Sequence, residues 1–237
     1  MQTLSIIIPT MNEEDYLPIL LTSLKAQNYK PLETIVADAH STDRTREIAR
    51  EAGAKIVEGG MPGAGRNNGA EVARGGVLLF LDADILFPDK TFLEKVVKEF
   101  EERRLGIATV SIAPIQSGRV IRFAHDVYNF YLRLAGSRRP HAPGFFILVK
   151  RDIHEQMKGF DESILYAEDQ DYAVRAAKIG AFGFLSRDLI IQVSTRRIKR
   201  DGILKTLAVN IFAEIYMLFL GPIRTDIFKY RFGYKKK

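Results

Sequence analysis

Apolar positions along the first hundred residues follow two alternating periods. The short, largely apolar runs Leu4–Ile8, Leu32–Ala37, Ala54–Val57 and the fully apolar Val77–Leu81 end at Pro9, Asp38, Glu58 and Asp82. Each has the length and composition of a buried strand. Between them apolar residues recur every three to four positions. Leu17, Leu20, Leu21 and Leu24 mark one face within Glu14–Gln27; Thr42–Ala52 and Ala64–Arg74 follow; Phe92, Val96, Val97 and Phe100 mark a face within Asp89–Glu101. Pro18 falls in a first helical turn, where no N–H is needed. Ser41 or Thr42 is placed to cap the second helix. Four strand–helix repeats predict a parallel α/β sheet with right-handed crossovers.

The second half is less regular. Gly106–Ile112 and Phe145–Val149 read as strands, Val120–Leu134 and Asp169–Ile179 as helices, and Phe182–Leu185 with Leu189–Val193 as a last strand or pair. The pattern contains no internal repeat or clear linker. Residues 1–200 are expected to form one domain, followed over 201–237 by an apolar helix, Gly202–Leu220, and a basic tail.

Ligands of open parallel sheets bind outside the carboxyl ends of the strands. Acids gather there: Glu13 and Glu14 after the first strand, Asp38 and Asp43 after the second, Glu58 after the third, and Asp82-Ala83-Asp84 after the fourth. A single strand-end Asp is equally well a turn former, and Asp43 reads either way. Asp82 and Asp84 repel each other unless a cation or hydrogen bonds offset the charge. Hard oxygen ligands with open positions suit Mg²⁺ or Mn²⁺ beside a diphosphate. The glycine-rich stretch Gly59–Gly69 carries Arg66 and would let backbone approach an anion; a flexible surface loop is its plainer reading. It matches no P-loop, and the first strand leads into no dinucleotide fingerprint. Glu168-Asp169-Gln170-Asp171 opens a helix. The macrodipole favours acids there, and one of them can serve as a general base.

Taken in order, SIIIPTMNEE, IVADAHSTDRT, GAGRNNGA, LLFLDADILF, Gly144-Phe145-Phe146, AEDQDYAVR and STRR at Ser194–Arg197 make the chain resemble the family 2 glycosyltransferases of GT-A fold. The resemblance covers roughly residues 3–200. It implies a Rossmann-like, mostly parallel sheet flanked by helices, a nucleoside diphosphate sugar donor of UDP or GDP type, and an inverting transfer. By the same resemblance Pro9, Glu13 and Asp38 hold the nucleoside and Arg66 binds donor. Asp82 and Asp84 hold ribose and a metal-bound diphosphate, with Mn²⁺ or Mg²⁺ as the cation. Asp169 is the base with Glu168 beside it, and Arg196 and Arg197 contact the diphosphate. Two departures stand out. Met11 occupies a position that is often Tyr, and Ala39-His40 replaces the frequent Asp-Gly. His40 is read chiefly as an exposed turn residue, with ligand contact as the other option. His125, His141 and His154 have no metal-ligand spacing and are read as structural.

Charge refines the picture. The net +6 combines a body of −2 over the first 195 residues with +8 from Arg196 to Lys237. A near-neutral body argues against a chain coated for nucleic acid. The run Ile203–Ile223 is apolar enough to meet a membrane, but Glu214 near its middle favours a helix lying in the interface over one that spans it. Arg224, Lys229, Arg231 and Lys235–Lys237 would then face anionic lipid; a core or dimer helix with a solvated basic end is the plainer reading. The acceptor is left open, a hydroxyl or a lipid phosphate, with a lipid-linked acceptor following from the membrane reading. The absence of cysteines fits a reducing compartment, and no secretory signal is recognised at the start. A cytoplasmic location is therefore expected, at the membrane's cytoplasmic face if the tail binds lipid. Two competing readings are a nucleotidyltransferase, which would need a basic Gly-rich loop after the first strand, and a non-enzymatic nucleic-acid binder using the tail.

Overall fold

The computed structural model describes residues 2–228 and 232–233, the side chain of Ser137 excepted. Its first half follows the predicted alternation: β1 (Leu4–Thr10), α1 (Leu17–Lys25), β2 (Leu32–Asp38), α2 (Thr45–Glu51), β3 (Lys55–Glu58), α3 (Pro62–Val72), β4 (Val77–Phe80), β5 (Ile85–Leu86) and α4 (Phe92–Glu102). Then come β6 (Ile107–Thr109), β7 (Ser111–Pro114), α5 (Arg119–Ala135), β8 (Ile147–Lys150), α6 (Arg151–Gln156), α7 (Glu168–Ala177), β9 (Phe182–Phe184), β10 (Ile190–Val193), α8 (Arg196–Asp201) and α9 (Ile203–Leu220).

The main sheet has seven strands in the order β3-β2-β1-β4-β8-β6-β9. All pairings are parallel except those of β8, which runs against both β4 and β6. β1 and β4 are buried along their whole length, the mark of strands covered on both faces. One layer packs Ile6, Ile8, Leu79 and Leu148 against α1 and α4. The other packs Ile7, Leu78, Phe80 and Val149 under Phe160 and Tyr172.

Several expectations change here. Gly106–Ile112 is not one strand. The chain leaves the main sheet after Thr109 and enters a second sheet, β5-β10-β7. α2 begins three residues later than predicted. Its N-cap is Arg44, and neither Ser41 nor Thr42 caps it. Asp43 does that work by accepting from Thr45 N at 3.0 Å. Gly63, Gly65 and Gly69 do not form an open loop but lie within α3. A Cβ on Gly69 would collide with Ile7, so this glycine lets α3 sit directly on β1.

Candidate active site

β1 and β2 run in register to Thr10 and Asp38, and β4 lies on the other side of β1. Their carboxyl ends therefore meet. Asp38 is fully buried and accepts from Thr10 Oγ1 at 3.3 Å, Ser41 N at 3.1 Å and Arg46 Nη1 at 3.2 Å. Asn12, in the left-handed region at φ 58°, accepts from Thr42 N at 2.9 Å. Glu13 N donates to Thr45 Oγ1 at 2.7 Å. The loops after β1 and β2 are thus stitched into one wall. His40 sits at the tip, also left-handed at φ 53°, with its exposed Nε2 2.8 Å from Glu58 Oε1. This is the turn role. Pro9 is buried inside β1, opposite Ala37 and under Gly65.

Two arginines neutralise the acids behind this wall. Arg196 heads α8 and reaches back to Glu13, with Nη1 and Nη2 each donating to one carboxylate oxygen at 2.7 Å. Its Nε lies 2.9 Å from Asp84 Oδ2 in a further ion-pair contact. Its guanidinium also lies 4.7 Å from the Tyr16 ring centroid. Burial pushes Asp84 up to about 7, helped by the charges of Asp82 and Glu13 and opposed by Arg196. Burial likewise raises Glu13.

Arg66 is 2% exposed and joins two sides of the site. Nη2 donates to Asp82 Oδ1 at 3.1 Å, and Nη1 donates to Glu168 Oε1 at 2.7 Å. The guanidinium stacks over Phe160, 5.3 Å from its centroid. Glu168 and Asp169 start α7 after Ala167, which is left-handed at φ 59°. Asp169 keeps partial contact with solvent, yet its carboxylate accepts from Gly144 N at 2.7 Å and is raised by burial and by Glu168. A side chain at position 144 would collide with Arg66 and meet Asp169. Gly144 is therefore the close approach that lets the two acids and Arg66 share one corner.

The structure thus assembles Glu13, Asp82, Asp84, Arg66, Glu168, Asp169 and Arg196 at one edge. Arg197 follows on α8, and its charge acts on Tyr166. Sequence reasoning missed a second pair. His141, set aside as structural, lies 2.8 Å through Nε2 from Glu214 of α9, which also accepts from Gln170 Nε2 at 2.7 Å. Glu214 in an apolar run was its only trace. His154 is a core residue, bonded to Tyr172 Oη at 2.8 Å, and His125 bonds Ile121 O. Lys229, Arg231 and Lys235–Lys237 lie outside the described residues.

Asp82 and Asp84 fit a divalent cation of the open kind. No cluster of three or more acidic, His or Cys groups suited to a metal occurs among the described residues. Asp82 and Asp84 are hard oxygen donors of the type that Mg²⁺ and Mn²⁺ take, and each is paired with an arginine here.

Residues 5–158 match the family model described as glycosyl transferase family 2. The chain is 38% identical over 143 residues to 4,4'-diaponeurosporenoate glycosyltransferase of Staphylococcus haemolyticus, a match covering 56% of this chain and 35% of that protein. Among solved structures, mannosyltransferase PcManGT of Pyrobaculum calidifontis with GDP-Man and Mn²⁺ superposes with TM-score 0.68 at 23% identity, covering 93% of this chain and 71% of that one. S. aureus TarS 1-349 with UDP-GlcNAc gives 0.65 at 22%, covering 81% and 58%. At these identities the structural matches establish a shared mixed α/β fold.

Proposed function

Because the chain belongs to glycosyl transferase family 2, we propose that it moves a sugar from a nucleoside diphosphate sugar to an acceptor hydroxyl or lipid phosphate, with inversion and with Mn²⁺ or Mg²⁺. One observation carries the reading. A single buried guanidinium, Arg66, holds Asp82 on the donor side and Glu168, next to Asp169, on the other. Asp169 takes the acceptor proton as the acceptor oxygen bonds to the anomeric carbon and the bond to the diphosphate breaks. Its raised affinity for protons suits a base. If the acceptor is an ionised lipid phosphate, Asp169 orients it instead. Pro9, Glu13 and Asp38 shape the nucleoside wall, and Arg66, Arg196 and Arg197 face the departing diphosphate. Asp82 and Asp84 would hold the cation, which supplies charge stabilisation to the leaving group when bound.

Residues 1–200 constitute the transferase domain. Residues 201–237 add α9, which lies on the cytoplasmic face of a membrane. α9 is long and apolar enough to cross a bilayer, yet almost none of it is buried. It nevertheless does not span. α8 at one end is tied to Glu13 through Arg196. Glu214 in the middle is tied to His141. Just past the other end, Leu165 N donates to Ile223 O at 2.9 Å. A helix whose two ends dock on one domain cannot cross a bilayer about 30 Å thick.

Thermal shift with UDP-, GDP- and dTDP-sugars, each with and without Mn²⁺ or Mg²⁺, tests the donor reading. A metal-dependent rise for one nucleotide is expected, followed by an inverted product by NMR. No shift and no transfer across the panel would sink it.

A further inference from the structure

α5 turns most of its apolar side chains outward. Val120, Phe123, Val127, Phe130, Tyr131 and Leu134 recur at helical spacing, and all are exposed, Val120, Phe123 and Leu134 by 70% or more. Its inward side sets the buried Leu132 and the core-packed Tyr128 among polar groups. Asn129 donates to Ile112 O and accepts from Ile112 N, and Arg133 donates to Ser111 Oγ and Leu185 O. A surface helix ordinarily buries its apolar stripe. α9 repeats the anomaly, with Leu204, Leu207, Ile211, Ile215 and Leu218 on one exposed stripe and Ala213 buried. Large exposed apolar patches mark interaction or membrane surfaces.

The charge distribution says what meets it. Residues 119–139 hold five basic side chains and one acidic, a balance of +4, and residues 196–237 hold +8. The rest of the chain, 1–118 and 140–195, carries 19 basic and 25 acidic residues, a balance of −6. A net positive balance is therefore confined to the two segments with outward apolar stripes. Arg119, Arg122, Arg138, Arg139, Lys199 and Lys205 are exposed within them. Apolar stripes flanked by Lys and Arg are the composition of interfacial helices on anionic lipid.

We infer that α5 and α9 together form one docking surface for an anionic lipid bilayer, placing Asp169 at the membrane. The inference extends the reading of α9 above and rests on it. His141, which belongs to neither helix, links the two beside the site. Tyr131 of α5 packs edge-on against His141, at 6.1 Å between centroids, and His141 pairs with Glu214 of α9. Gln170, next to Asp169, is held by that same Glu214. An acceptor with its head at Asp169 and an apolar chain in the bilayer would meet both helices.

The chain has no Trp, so Phe130→Trp and Phe212→Trp are single reporters on exposed positions of α5 and α9. Full-length protein is mixed with phosphatidylcholine vesicles with and without phosphatidylglycerol, in the absence of donor, so the result is independent of transferase activity. Expected is a blue shift of about 10 nm for both reporters on anionic vesicles, reversed by salt. Phe123→Glu with Phe130→Glu should lower flotation about tenfold with an unchanged melting temperature. A shift at 212 with none at 130 would overturn the inference and leave the α9 reading standing; silence at both overturns both. Emission of the Phe130→Trp variant already blue-shifted without vesicles, in a chain that light scattering shows to be a dimer, would make the α5 face a self-association surface and overturn it too.

Discussion

Replacing Arg66 by Met removes the side chain that ties Asp82 to Glu168, the acids proposed for the donor and base sides. Its guanidinium is buried between Glu168, 15% exposed, and Asp82, 34% exposed. Taking one partner out of a buried ion pair costs about 3–5 kcal/mol, because the other charges stay behind. Solvent screens the Asp82 share, which places the loss near about 3 kcal/mol. In a chain of this length each kcal/mol moves the melting temperature by about 2–4 °C, so Arg66→Met should melt roughly 6–12 °C lower at pH 8. The pH dependence tests the cause. Asp169 is raised by burial and by Glu168, while Arg66 holds it down; without Arg66 it rises further. A carboxyl whose folded value lies above its unfolded value costs nothing below the unfolded value and costs most above the folded one. The gap between wild type and variant should therefore narrow as the pH falls toward about 5. Differential scanning fluorimetry from acid to alkaline pH measures it. A difference below about 2 °C at pH 8, or one that widens on acidification, would refute the reasoning.

Asp169→Asn should lose about 10²–10⁴-fold in turnover while donor binding, read by calorimetry, stays within twofold or so; undiminished turnover removes Asp169 as base. Asp84→Asn removes a buried carboxylate held near Glu13, so the fold should persist while the metal-dependent part of donor affinity disappears; unchanged affinity with and without metal counts against it. Glu214→Gln breaks the pair with His141. His141 is lowered by burial but raised on balance by Glu214, so its contribution is complete below its ordinary value of 6.5 and fades as pH rises through the folded value. Glu214 is raised by burial but lowered on balance by His141, so its contribution is present above its ordinary value of 4.5 and fades as pH falls through the folded value. The variant's loss in melting temperature should peak between about pH 5 and 7, and a loss independent of pH would exclude the ion pair as its cause.

The parts legible in the sequence are those whose partners are close in the chain or whose periodicity is unmixed. β1, β2 and β4 read as apolar runs because the sheet is covered on both sides, and the acids after them read as site residues because strand ends are where the chain must turn. The break between β6 and β7 did not read, since residues 107–112 are one strand-like run without a turn signal and the change of sheet is decided by β10, far downstream. α8 did not read either. Its six residues, Arg196–Asp201, have little apolar face, and their anchor is a pairing of Arg196 with Glu13 across 183 positions. The helix of α5 was legible but its orientation was not. A stripe at helical spacing says that one face is apolar, and only the bonds of Asn129 and Arg133 reveal that this face points outward.

On the proposed reading of the site, its ionic pattern also bears on how metal and nucleotide would bind. Each donor-side aspartate already has a guanidinium, Asp82 that of Arg66 and Asp84 that of Arg196, and Arg196 in addition holds Glu13. A divalent cation arriving alone must compete with those arginines for carboxylates it needs. A diphosphate arriving alone meets arginines already engaged, beside acids that repel it. Arriving together, the cation takes the carboxylates and the phosphates take the guanidiniums, so each ligand removes the other's competitor. Mn²⁺ and a nucleoside diphosphate should therefore bind with positive coupling of about 1–3 kcal/mol, or about 5–150-fold in either affinity, and linkage requires the same factor in both directions. Calorimetric titration of Mn²⁺ with and without saturating nucleotide measures it, and Arg196→Gln should reduce the factor by tightening Mn²⁺ alone and weakening the nucleotide. Equal Mn²⁺ affinity in the two titrations would show that the arginines are fixed scaffolding and not exchangeable counterions.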